Sequence, residues 1–119
     1  STAPLTLTFD YSFSETTALY AAMELTKSLI SEEGVDKKQV YITGLSMGGM
    51  GTFEAVYRYP KLFAAAVPIC GGGDAARYDK RVLKTSFRIF HGSDDAVVAV
   101  KHSQEMVERL KQLKATVSY

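Results

Sequence analysis

"VYITGLSMGGMGTFEA", Val40 to Ala55, is the stretch that decides the fold. A β-branched and aromatic run reaches Gly44, the chain turns at Leu45-Ser46-Met47, and past two further glycines the pattern becomes helical. Gly44-Leu45-Ser46-Met47-Gly48 is a G-x-S-x-G turn. A serine on so sharp a turn brings its flanking positions close to neighbouring backbone, where a Cβ would clash. The turn lifts the hydroxyl above the sheet edge and aims the N-terminus of the next helix at it. The Met47 N–H, with the helix dipole behind it, can then hold developing negative charge. Ser46 is therefore a candidate nucleophile, Met47 a candidate oxyanion donor, and Gly44 and Gly48 the elbow glycines. The competing reading is a phosphate-binding glycine turn. A G-x-x-x-x-G-K-[ST] loop would need a lysine that this turn lacks.

Working outward, short apolar runs alternate with amphipathic ones, which predicts an α/β domain with a parallel sheet. Upstream, "LTLTF" (Leu5 to Phe9) alternates as a strand would, and Ser12 with Glu15 fits a capping box. The following helix places Leu19, Ala22, Met23, Leu29 and Ile30 on one face and stops near Gly34. Gln39 to Thr43 reads as a central strand, and residues 48–59 as a helix ended by Pro60. Ala64 to Cys70 reads as a buried strand closed by Gly71-Gly72-Gly73, and Ser86 to Phe90 as a third strand. Lys101 to Leu113 is a helix with Met106, Val107, Leu110 and Leu113 inward, and Ala115 to Tyr119 a last strand.

A serine nucleophile needs an imidazole and a carboxylate that orients it. "FHGSDDAVV", Phe90 to Val98, follows a strand and offers Asp94 and Asp95. Serine first and acid later is the chain order that goes with this kind of turn. An Asp in a loop is otherwise a solvated turn residue or a helix cap. Of the two histidines, His91 ends a strand and His102 begins a helix as a solvated first-turn residue. Cys70 reads as a buried small hydrophobe. Gly71 to Gly73 with Asp74 form a loop at the rim of the site, and Tyr41, Tyr57 and Tyr59 are packing residues.

The bulk composition suits one small globular domain, residues 1–119, with 46% hydrophobic and 23% charged residues. A net charge of +1, without a cluster of Lys and Arg among aromatics, argues against nucleic acid as a partner. No apolar run reaches the length of a membrane span. With a single cysteine, neither an internal disulfide nor a cysteine zinc site can form.

"VYITGLSMGGMGTFEAVYRYPKLFAAAVPICGGGD" and "FRIFHGSDDAVVAVKHSQEMVERLKQL" together resemble the catalytic part of α/β-hydrolase esterases. The phospholipase/carboxylesterase and dienelactone-hydrolase-like enzymes are the nearest kinds, with feruloyl-esterase-like proteins among them. The resemblance spans residues 35–119. It implies a three-layer α/β/α architecture with a mainly parallel sheet, here a partial α/β-hydrolase fold. It further implies serine carboxylic ester hydrolysis of a small-molecule ester, with Ser46 as nucleophile, the Met47 N–H as oxyanion donor, and no metal or organic cofactor. The family's acid lies in H-G-x-x-D-x-x-V, here His91 to Val98, a spacing that selects Asp95 over Asp94. The same pattern gives His91 a structural place in its turn, and Ala99 stands where relatives often carry proline.

The family's catalytic histidine follows the last strand, beyond Tyr119 in this numbering. Its members also carry strands ahead of the elbow and a loop with a second oxyanion N–H. The expectation is a C-terminal half of the fold, weak as a catalyst alone, whose histidine comes from other residues or a complementing chain. The alternative is a non-catalytic or engineered fragment that self-associates through uncovered strand edges and helix faces. An acyltransferase or a peptidase on the same triad is a third reading. The resemblance favours a secreted or periplasmic location, with which one cysteine is compatible.

Overall fold

Among the described residues, four strands run parallel in the order in which the chain makes them: β1 (Tyr41–Leu45), β2 (Ala65–Ile69), β3 (Ser86–Arg88) and β4 (Val117–Ser118). The computed structural model describes residues 17–92 and 100–119. The expected strand at 5–9, the capping box at Ser12 and Glu15, and Asp94 and Asp95 lie outside the described residues. Helix α1 (Thr17–Glu32) precedes β1, α2 (Met47–Arg58) joins β1 to β2, and α3 (Val100–Gln112) precedes β4. The chain thus builds a partial α/β fold with a parallel sheet.

Register partners in parallel strands share a face, and the two faces of this sheet differ. Ile42, Ala66, Phe87 and Val117 are partners on one face, with Gly44 and Pro68 as the next row. This face packs under α2 and α3, where Phe53, Val56, Met106 and Leu110 are fully buried. On the other face, the row Leu45–Ile69–Phe90 leaves Leu45 66% and Phe90 48% exposed. Tyr41, Thr43, Ser86 and Arg88 are exposed there too. Of the three layers expected, the described residues supply the sheet and one helical layer.

Several sequence expectations are corrected by this packing. β2 is buried on alternate residues rather than throughout, because only one face of the sheet is covered. β1 sits at the edge of the described sheet, not at its centre, and Tyr41 is 65% exposed instead of packed. In α1, Met23 is buried and Leu19 and Ile30 are partly so, but Ala22 and Leu29 face outward. That helix ends at Glu32, and Gly34, at φ 64°, turns the chain away from it as expected. Three short 3₁₀ turns were not legible from periodicity. Each is capped by an aspartate: Asp36 accepts from Lys38 N, Asp74 from Ala76 N and Asp79 from Arg81 N.

The core is aromatic at its centre. Phe53 lies 6.3 Å from both Phe87 and Tyr78, ring centroid to ring centroid, and Tyr57 stacks on Tyr78 from outside. The fully buried Tyr78 hydroxyl donates to the Phe53 carbonyl at 2.6 Å. Burial, with the Glu54 carboxylate as a lesser cause, pushes the Tyr78 phenol well above its ordinary value of 10.0. Glu54 is itself buried on α2 and is paired with Arg58 at 2.6 Å and Arg77 at 3.9 Å.

The phenol stays neutral in the fold while the unfolded chain ionises near its ordinary value, so Tyr78 holds its contribution below pH 10. Above that pH the contribution is progressively lost. Urea denaturation as a function of pH is expected to show a fall in stability above about pH 10 that is reduced in Tyr78→Phe. At neutral pH the same substitution is expected to lower stability by about 1 kcal/mol, the worth of one buried hydrogen bond.

Candidate active site

β1 continues through Leu45 and α2 begins at Met47, so the turn between them is the single residue Ser46. A one-residue reversal forces an unusual backbone, and Ser46 has φ 57° and ψ −114°. An L-residue in that region costs about 1–3 kcal/mol and persists only where surrounding contacts hold it. Here the Ser46 N–H donates to the Ile69 carbonyl at 2.8 Å, fastening the turn to β2. The Ser46 side chain makes no capping bond to α2. Its hydroxyl is thus not spent on the helix. Met47 is the first helical residue, and its N–H belongs to the turn whose donors have no intrahelical partner. No acidic side chain occupies the first turn of α2, so the positive end of the helix dipole is not neutralised locally.

The glycines divide differently from the sequence expectation. A Cβ at Gly44 would overlap the Gly48 carbonyl and come within 2.9 Å of Thr52 Oγ1. Thr52 Oγ1 in turn donates to the Gly48 carbonyl at 2.8 Å. Gly44 is required by close approach of strand to helix. A Cβ at Gly48 would meet nothing within 4 Å among the described residues, so the clash expected there is absent. The second close approach is made by Gly49, where a Cβ would stand 2.7 Å from the Ile69 carbonyl and 3.0 Å from Gly71 Cα. Gly71 is hemmed in reciprocally by Gly49 backbone.

The loop after β2 belongs to the same arrangement. Cys70 has φ 52° and is half-buried, not buried as expected, and its N–H donates to the Phe90 carbonyl at 2.8 Å. Gly72 abuts His102, whose side chain is otherwise exposed, and Gly73 abuts Phe53 and Met106. This triple glycine is a packing seam between α2 and α3. His91, at the end of β3, places Nδ1 2.7 Å from Ser103 Oγ, and Ser103 Oγ donates to the Gly71 carbonyl at 2.9 Å. Ser103, Gly49 and Cys70 carried no sequence signal beyond the glycine run and the helical periodicity. The apolar groove of about 500 Å³ beside Ile30, Tyr59, Pro60 and Leu62 lies past the other end of α2 and includes no elbow residue. Among the described residues, no group of His, Cys, Asp and Glu could hold a metal ion. No helix among them is long and apolar enough to cross a membrane.

Gly49→Ala is expected to destabilise the fold by about 1–3 kcal/mol, since backbone and not a flexible side chain blocks the added methyl. Gly48→Ala is expected to be neutral, or to stabilise by up to about 1 kcal/mol through helix propensity. Chemical denaturation of the two variants side by side checks this.

A profile of the prolyl oligopeptidase family matches residues 16–86. The structure superposes on that of a thermostable esterase with a TM-score of 0.84 and 41% identity, over 90% of this chain and 28% of that one. Carboxylesterase SOBER1 of Arabidopsis thaliana is 28% identical over 92 residues, spanning 73% of this chain and 40% of that protein. Acetylxylan esterase A of Aspergillus ficuum is 31% identical over 81 residues, covering 68% of this chain and 27% of the other. The chain therefore spans well under half the length of these relatives. Its elbow, its parallel sheet and the extent of the family match lead to one assignment: the chain belongs to the prolyl oligopeptidase family and carries part of an α/β-hydrolase fold.

Proposed function

We propose that the chain forms the nucleophile-bearing part of a serine ester hydrolase. The observation that carries this reading is the one-residue elbow, with Ser46 at φ 57° between the end of β1 and the start of α2. The esterases among its relatives support ester hydrolysis as the activity of the whole protein.

In this reading Ser46 Oγ attacks the ester carbonyl carbon and its proton passes to an imidazole. The carbonyl oxygen becomes an oxyanion held by the Met47 N–H at the head of α2. Collapse of the tetrahedral intermediate breaks the bond to the alcohol oxygen, which takes the proton from the imidazolium. Water then attacks the acyl-serine by the same route and releases the acid. Asp95, four residues beyond His91, is the carboxylate that orients the imidazole.

Neither His91 nor His102 suits the imidazole role. Nδ1 of His91 is engaged by Ser103, and the exposed His102 lies on α3 against Gly72. In this reading the imidazole belongs to a histidine other than these two. No cofactor is required, and the substrate is a small-molecule ester.

A fluorophosphonate probe tests the reading. Ser46 is expected to take the phosphonyl group with loss of fluoride in the protein that supplies the imidazole, and Ser46→Ala to abolish labelling. In the protein that supplies the imidazole, Ser46→Ala is expected to cut p-nitrophenyl ester turnover by about a thousandfold or more, and Asp95→Asn by at least a hundredfold. Unchanged turnover in Ser46→Ala would remove Ser46 from the mechanism.

A further inference from the structure

We infer that His91 and Ser103 are positioning residues that brace the nucleophile elbow through the Gly71 backbone. This deepens the ester-hydrolase reading and rests on it. Ser103 is fully buried on the first turn of α3, and its hydroxyl has a single proton. That proton goes to the Gly71 carbonyl at 2.9 Å, because a carbonyl can only accept. Toward His91 the same oxygen must therefore act as acceptor. The 2.7 Å contact then fixes the proton of His91 on Nδ1.

The three groups join three parts of the fold. His91 lies where the chain leaves β3, Ser103 where it has entered α3, and residues 92–102 run between them. The bond from His91 to Ser103 ties the two ends of that segment together. Gly71, the third member, presses on Gly49 in the first turn of α2, three residues after Ser46. Ile69, two residues before Gly71, accepts the Ser46 N–H. A shift of Ser103 is transmitted through backbone contacts to the nucleophile turn, with no flexible side chain to absorb it. Neither residue touches the reacting atoms. Their part is to hold the loop after β2, and with it the elbow, in one arrangement, which is the condition for a nucleophile to align.

Two measurements decide the matter. The first is imidazole ¹⁵N and ¹H NMR of the full chain at a pH where His91 is neutral. His91 is expected as the Nδ1–H tautomer, shifting to a mixture or to Nε2–H in Ser103→Ala. A His91 ring that is Nε2–H in the unmodified chain would overturn the proposal. The second is the rate of fluorophosphonate labelling of Ser46 in His91→Ala and His91→Asn forms of the protein that supplies the imidazole, with near-ultraviolet circular dichroism confirming the fold. His91→Ala is expected to slow labelling about tenfold, the equivalent of one lost hydrogen bond. His91→Asn, whose side-chain amide can donate from nearly the position of Nδ1, is expected to restore most of the rate. Equal rates in the unmodified protein and His91→Ala would overturn the positioning role. If Ser46 is not labelled at all in the protein that supplies the imidazole, the ester-hydrolase reading fails and, with it, the catalytic sense of this proposal, whereas the tautomer measurement judges the lock itself.

Discussion

The contact on which the rest of the structure depends is that of two backbones with no side chain between them. Gly49 in α2 and Gly71 after β2 meet so closely that a Cβ on either would strike the other. This lets the first turn of α2 settle onto the loop, bringing the Ser46 N–H within 2.8 Å of the Ile69 carbonyl. Gly44 permits the same approach from β1 below. Once helix and strand are that close, one residue has to make the whole reversal, and Ser46 takes up φ 57°. The strain is sustained by what lies behind it, since Phe53, Ala55 and Val56 further along α2 are fully buried.

The two ends of α2 are treated oppositely by their surroundings. The N-terminal end carries no acidic side chain, and its dipole stays available to an anion at Ser46. At the C-terminal end Arg58 sits in the last turn and pairs with Glu54. Arg58, Arg77 and Arg81 each place a guanidinium 5.6–5.9 Å from the centre of the Tyr57 ring. The far end of the helix is thereby neutralised and anchored in the aromatic core. An electrostatic asymmetry of this kind fits the role proposed for the head of this helix, that of holding charge which appears only transiently.

What could be read from the sequence follows from which constraints are local. The elbow was legible because its glycine, its serine and the change of period lie within a few residues. The positions of α2, α3 and β3 were legible to within a residue or two for the same reason. Gly49 and Gly48 look alike in the sequence, and only the loop after β2, some twenty residues away, distinguishes them. Cys70 and Ser103 were opaque for a similar reason, since the partners Phe90, His91 and Gly71 reach them through tertiary packing. The face of β2 was misread because alanine and valine runs do not reveal whether a sheet is covered on one side or on both. Tyr41 was misplaced by the same ambiguity.

The order of the strands has a topological corollary. Crossovers between parallel strands are right-handed almost without exception, so a chain that steps steadily across a sheet in one direction lays every connection on the same face. This chain steps from β1 to β4 without reversing, and its core accordingly lies on one side. The face bearing Tyr41, Leu45 and Phe90 cannot be covered by any right-handed crossover that continues this march. A helix reaching it by such a crossover must belong to polypeptide that traverses the sheet the opposite way. The boundary between the two directions of travel is where a crevice opens at the carboxyl ends of parallel strands. Among the described strands β1 comes first, so the described side of that boundary ends at β1, and the residue that ends β1 is the neighbour of Ser46.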